Sequence, residues 1–197
     1  MTINRFFFII IIAFLSLEIN AQKNRISVFY GFTGNELLRN EDLVGGPSYD
    51  GKGSDIFGIN YQRALNKDIS LETGLEYSKN KIGITPSFYP GIDLTPRQED
   101  IELITIPVYV KFTFFKYFFV NGGTLIDFEI NREDYLSTDE QSGIGFGAGI
   151  GGQYTFRNFT FYINPLLRYH ALIPFHKENY QQHLTEAGIK FGLGYNF

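Results

Sequence analysis

The sequence predicts an all-β fold, an eight-stranded antiparallel transmembrane up-and-down β-barrel. Three observations predict it. Segments long enough for a tilted strand to cross a bilayer, about 9–11 residues or slightly more, alternate apolar with polar or small residues at a period of two. The connections between them alternate strictly between long and short. Beyond the N-terminal segment, no apolar run is long enough for a spanning helix. The nearest, Phe112–Val120, is interrupted by Lys116.

The N-terminus is expected to be a signal peptide, residues 1–21, with the barrel occupying 22–197. Arg5 precedes an apolar run from Phe6 to Leu17, too short to span, and Ala21 closes the segment. Its removal takes away Arg5 and Glu18, so the net charge of -4 is unchanged. That charge offers no basic patch for a nucleic acid. The chain has no cysteine. Disulfides, thiol nucleophiles, thiolate metal sites and a lipidated cysteine are therefore excluded.

The first predicted strand, 24–32, carries Ile26, Val28, Tyr30 and Phe32 on one face. The second, 54–65, sets Phe57, Ile59 and Tyr61 against Gly58, Asn60 and Gln62. The third, 68–80, has the clearest alternation, with Leu71, Thr73, Leu75 and Tyr77 opposite Glu72, Gly74 and Glu76. The fourth, 101–114, sets Ile104, Ile106, Val108, Val110 and Phe112 against Pro107, Tyr109 and Lys111. The fifth, 117–130, opposes Val120, Ile126 and Phe128 to Asn121, Asp127 and Glu129. The sixth, 143–156, alternates glycine with apolar residues. The seventh, 158–171, opposes Phe159, Phe161, Ile163, Leu167 and Tyr169 to Tyr162, Asn164, Arg168 and His170. The eighth, from Ala187, places Ile189, Phe191, Leu193, Tyr195 and Phe197 on one face and Gly188, Lys190, Gly192 and Gly194 on the other.

Long connections 33–53, 81–100, 131–142 and 172–184 alternate with short ones at Asn66-Lys67, Phe115-Lys116 and Arg157. Outer-membrane barrels have short periplasmic turns and longer external loops. The expected location is therefore the cell outer membrane with both termini periplasmic. Pro107 and Pro165 fall inside strands, where proline cannot donate to the ladder. Each is expected to mark a bulge or a register shifted by one. Without tryptophan, Tyr and Phe must supply the rim girdles, with Tyr61, Phe112, Tyr154, Phe159 and Tyr195 among those at the periplasmic end.

The segment Ile101-Glu-Leu-Ile-Thr-Ile-Pro-Val-Tyr-Val-Lys-Phe112 resembles a strand of the Bacteroidetes outer-membrane β-barrel family, often called PorT-like. Ile106, Pro107 and Lys111 carry the resemblance, together with the Ala-Gln end of the leader and the terminal Phe197. It implies an integral outer-membrane barrel without an assigned activity. Phe197 also resembles the C-terminal signal through which barrel-insertion machinery would be a partner.

Alternation turns Glu72, Glu76, Lys111, Asp127, Glu129, Arg168, Glu186 and Lys190 into the lumen. Eight strands leave room only for side chains, and charges there must pair or be hydrated. A salt-bridged plug is the expectation, against a narrow ion path. The glycine run 143–152 lacks the turn into a helix that a phosphate cradle needs. It is read as space for large neighbours such as Tyr162 and Arg168. His170, His176 and His183 are spaced too widely for a metal site on regular structure and are read as surface residues. No cofactor, metal or catalytic residue is assigned, and no enzymatic activity is expected.

The expected role is structural or surface-binding, through acidic, aromatic-bearing external loops. Glu41, Asp42, Glu133, Asp134, Asp139 and Glu140 could bridge to lipopolysaccharide through divalent cations. Tyr49, Phe88, Tyr89, Tyr135, Phe175 and Tyr180 are the candidate anchors for a partner. The alternatives are an accessory subunit of an envelope secretion or transport complex, with other envelope proteins as partners, and a lipid-modifying enzyme. The enzyme would pair Ser137 or Ser142 with one of the histidines.

Overall fold

The structure is a computed structural model that describes residues 24–39, 47–86, 95–131, 138–176 and 182–197. The predicted leader lies outside the described residues. Eight strands follow one another around a closed antiparallel barrel. They are β1 (Asn24–Arg39), β2 (Ser48–Ala64), β3 (Ile69–Thr85), β4 (Arg97–Phe114), β5 (Phe118–Glu129), β6 (Gly143–Phe156), β7 (Phe159–Pro174) and β8 (Gln182–Asn196). The sheet closes where β1 pairs β8, from Arg25↔Asn196 to Arg39↔Gln182. Closure removes the free edges that an open sheet would leave.

Each strand turns the face that its alternation predicts. Val28, Phe32, Ile59, Val110, Phe161 and Leu193 are exposed on the outer wall, whereas Ser27, Asn60, Lys111, Thr160 and Lys190 are buried within. The outward aromatic residues pair across strands, as in Phe57–Tyr77 at 5.1 Å and Phe159–Tyr195 at 5.4 Å between ring centroids. The result is a continuous apolar belt. Above it, toward the long-loop end, Asp55, Lys79 and Glu102 stand side by side on neighbouring strands as the first outward charges.

Two expectations need correction. The long-loop end is not made of loops alone. β1 runs 16 residues, β2 and β3 each 17 and β4 18, so these strands rise well beyond the predicted boundaries at 32, 54, 80 and 101. Neither proline marks a bulge. Pro107 pairs Leu125, and on its other side Thr73↔Val108 and Glu76↔Thr105 keep one register. Pro165 pairs Ile189 and is likewise flanked in register by Gly149↔Leu166 and Gly152↔Ile163. A single missing donor is accommodated when the pairs on both sides hold the strands in place.

The register breaks lie elsewhere. Between β2 and β3 it shifts from Gly51 to Ser54, and Gly53 adopts φ 93° there. Between β6 and β7 it shifts from Ile144↔Ile173 to Phe146↔Tyr169, around Ala171 with φ 47°. At the opposite end the turns are tight. Arg157 (φ 53°) turns β6 into β7, and Phe115 and Lys116 (φ 51° and 65°) turn β4 into β5. In the β2–β3 turn, Asn66 Oδ1 accepts from the amides of Asp68 and Ile69 at 2.9 and 2.8 Å.

Candidate functional site

The lumen fills in layers, and the central layer is ionic. Arg168 of β7 reaches across the barrel to Glu76 of β3 and lies 3.5 Å from Glu186 of β8. Lys190 Nζ donates to Glu76 Oε1 at 2.7 Å. His170 sits between two acids, with Nε2 3.1 Å from Glu186 Oε2 and Nδ1 3.0 Å from Asp127 Oδ2. The second contact is off hydrogen-bond alignment. Thr105 Oγ1 donates to the other Asp127 oxygen at 2.7 Å. Three acids face Arg168, Lys190 and the His170 ring, all essentially buried.

Toward the turns the layer changes character. Among the described residues, Lys111 meets no acid within ion-pair distance. Its ammonium lies 3.8 Å from the Phe119 ring centroid and reaches Gln62 Oε1 at 3.4 Å, a cation–π arrangement. Glu72 accepts from Asn60 Nδ2 at 3.2 Å. Arg25 closes this end, donating to Asn196, Gln62 and Gln153 at 2.8, 3.3 and 3.2 Å.

Toward the long loops the lumen becomes apolar. Ile82, Ile84, Ile101, Leu103 and Leu184 form a buried cluster, with Leu37 and Tyr49 packed against it. Burying such side chains contributes roughly 1.5–3 kcal/mol each. Beside the cluster Thr138, Gln141 and Ser142, just ahead of β6, are buried. β7 leaves β8 after Tyr169↔Thr185, because the Ala171 bulge carries it to β6 alone. The β8 groups left behind are met by Gln141, which accepts from Leu184 N at 2.8 Å and donates to Gln182 O at 3.0 Å. Asp139 accepts from Gln182 N at 2.7 Å. Asn35 plays a similar part at the β2 bulge, where it accepts from Gly53 N at 2.8 Å.

All eight predicted lumen residues point inward. The structure brings Glu76, Asp127, Arg168, Glu186 and Lys190 into one network. Glu72 and Lys111 stand apart from it, nearer the turns. Glu129 lies above it, accepting from Gln141 N at 2.7 Å. Sequence reasoning missed His170 and His183, read as surface residues although His170 is fully buried and His183 nearly so. For His170 the signal was present, since it shares the parity of Arg168.

The glycine run does leave space, but for other neighbours. A Cβ on Gly147 would lie 2.0 Å from the Tyr109 hydroxyl, and on Gly151 2.4 Å from the Phe119 ring. Tyr162 faces Gly192 on β8 instead, where an added Cβ would lie 2.1 Å from the tyrosine ring.

The candidate anchors and nucleophiles fare differently. Tyr49 packs on the apolar cluster within β2, and the Phe175 ring lies 5.8 Å from that of Phe128. Phe88, Tyr89, Tyr135, Tyr180 and Ser137 lie outside the described residues, as do Glu41, Asp42, Glu133 and Asp134. Glu140 meets His176 at 3.4 Å. The Ser142 hydroxyl accepts from Glu129 N at 3.0 Å. His183 lies against the Tyr169 ring at 5.2 Å. Among the described residues no serine hydroxyl is hydrogen-bonded to a histidine.

No protein-family model and no curated relative matches the sequence. Among solved structures, the chain is similar to the outer-membrane protein OprG from Pseudomonas aeruginosa. The TM-score is 0.60 at 10% identity, covering 90% of this chain and 96% of that one. It is more distantly similar to the attachment invasion locus protein Ail of Yersinia pestis, with TM-score 0.47 and 16% identity over 90% of this chain and all of that one. The N-terminal barrel domain of Pseudomonas aeruginosa OprF gives 0.45 and 17% over the same shares. The OprG likeness independently supports the fold read from the strand pairing: a closed eight-stranded barrel.

Proposed function

We propose that the protein is a closed, non-conducting outer-membrane barrel whose role is structural or surface-binding, carried by the raised long-loop end. The observation that carries this reading is the double closure of the lumen beneath an apolar outer belt. An ionic layer blocks the middle, and the Ile82–Leu103 cluster blocks the long-loop end. The belt gives lipid as its surroundings, and the short turns would face the periplasm. Lipopolysaccharide is then the natural neighbour of the outward charges above the belt. The resemblance of Ile101–Phe112 to the PorT-like family fits the same location.

Two measurements test it. The protein should sediment with outer membranes and show heat-dependent gel mobility. Reconstituted in planar bilayers, it should give no stable channel. A large, steady conductance would overturn the closed-lumen reading, and a soluble pool would overturn the location.

One observation favours the accessory-subunit reading as second. Directly paired outward positions Gly122, Ala148, Leu167, Ala187 and Gly34 form a shallow groove of about 800 Å³ on the belt. Small residues let a neighbouring transmembrane segment approach closely. Cross-linking in intact cells separates the two readings. Reproducible attachment to one envelope protein at this groove would favour the subunit.

A further inference from the structure

We infer that the turn end of the lumen is a binding site for a small anion bearing phosphate or carboxylate groups. A cavity of about 500 Å³ opens there, and Arg25, Lys67 and Arg157 stand on its wall with Gln62, Gln153 and Asn196 between them. Among the described residues, no Asp or Glu side chain lines it. Nor does any of the three cations, among those residues, have an Asp or Glu carboxylate within ion-pair distance. Glu72 acts on Arg25 only through space. Phe197 is at the rim, where its backbone oxygen accepts from Asn24 N at 2.8 Å.

Arg25 is the preorganised element. Three amide oxygens fix its Nε and one terminal nitrogen, and among the described residues no hydrogen bond occupies Nη2. A fixed guanidinium with free N–H groups suits a planar or tetrahedral oxyanion. Lys111 adds a second cation behind it, through the shared Gln62 oxygen. The cavity is blind, because the ionic and apolar layers seal it from above. An anion would enter and leave through the turn end. The site stands on its own residues and does not depend on what the long-loop end binds.

The test uses the intact protein in phosphatidylcholine nanodiscs, titrated with inorganic pyrophosphate and followed by backbone amide NMR. Saturable shifts at Arg25, Gln62, Gln153 and Asn196 are expected. The double variant Lys67→Gln/Arg157→Gln, whose changes lie in exposed turns, should weaken binding by about tenfold or more. Lys116→Gln, on the turn outside the cavity, should leave it unchanged. Arg25→Gln should abolish the shifts. Shifts that never saturate, no shifts, or equal weakening by Lys116→Gln would overturn the proposal. A parallel titration of phosphatidylglycerol into the nanodiscs distinguishes the source. The same saturable shifts there would identify a lipid headgroup, and shifts with pyrophosphate alone a soluble anion; either supports the site.

Discussion

The side chain of Gln141 stands in for a strand against Leu184. Its Oε1 accepts the Leu184 amide at 2.8 Å, and its Nε2 donates to the Gln182 carbonyl at 3.0 Å. One primary amide thus replaces the peptide that β7 withdraws at Ala171. Replacing Gln141 by Ala leaves both groups unpaired in a buried position, at a cost of about 1–3 kcal/mol. Hydrogen exchange checks it. The Leu184 amide should exchange faster in the variant while Val28 and Tyr30, deep in the β1 ladder, keep their protection.

The ionic layer should tolerate the loss of an acid poorly. Glu76→Gln leaves Arg168 and Lys190 buried with one carboxylate fewer between them. Breaking a buried pair in this way costs about 3–5 kcal/mol. Denaturant unfolding in lipid vesicles measures it, and a cycle with Lys190→Met should show strong non-additivity.

His170 lies between Asp127 and Glu186, so its removal sets two acids facing a neutral neighbour. His170→Gln should destabilise the barrel, as read by denaturant unfolding in lipid vesicles. An unchanged midpoint would contradict a bridging role for His170 between the two acids.

Gly147 faces the Tyr109 hydroxyl, where an added methyl has no room. Gly147→Ala should cost about 1–3 kcal/mol through overpacking. Gly34→Ala is the control, because its nearest atom would be the Ala187 carbonyl at 3.8 Å. Unfolding in the same vesicles should leave the control near wild type.

Above the belt, Lys79 pairs with Asp100 at 3.0 Å and Glu102 at 3.1 Å. Hydrogen bonds from Lys79 to Asp100 and Glu102, with their charges, hold the ammonium well above its ordinary 10.5. Partial burial pushes the Asp100 carboxyl up from 3.8, but hydrogen bonds from Lys79 and Gln98 and the Lys79 charge outweigh it and hold it lower. The lysine contribution is therefore full below pH 10.5 and fades as pH rises beyond it. The Asp100 contribution is full above pH 3.8 and fades on acidification. Carboxyl NMR titration checks the pair, and Lys79→Gln should raise the Asp100 midpoint.

The faces of the strands are legible in the sequence because the outer wall is apolar and the mid-lumen polar. Leu71 against Glu72 and Val110 against Lys111 state this directly. The long-loop end is not legible by the same rule. There Ile82, Ile84, Ile101 and Leu103 place apolar residues on the inward parity, so a polar-inside rule reads strand as loop. His170 is obscured for a related reason: its partners Asp127 and Glu186 belong to other strands, and only the folded sheet brings them near. The Ala171 bulge carries no glycine or proline to announce it. The prolines that do attract notice, Pro107 and Pro165, leave the register intact.

The ionic layer also bears on how the chain reaches its final state. Glu76 meets Arg168 across 92 residues and Lys190 across 114. The β7–β8 hairpin can join Arg168 to Glu186, but no hairpin joins Glu76 to either cation. Until the barrel closes, Glu76 and Lys190 each lack a counter-ion, and a half-built sheet in a membrane would hold them unpaired. The seam and the charge network must therefore be completed together. The same ion pairs that fill the middle of the lumen thus tie strands far apart in sequence to one closed order: a barrel closed in another order would leave these charges without counter-ions.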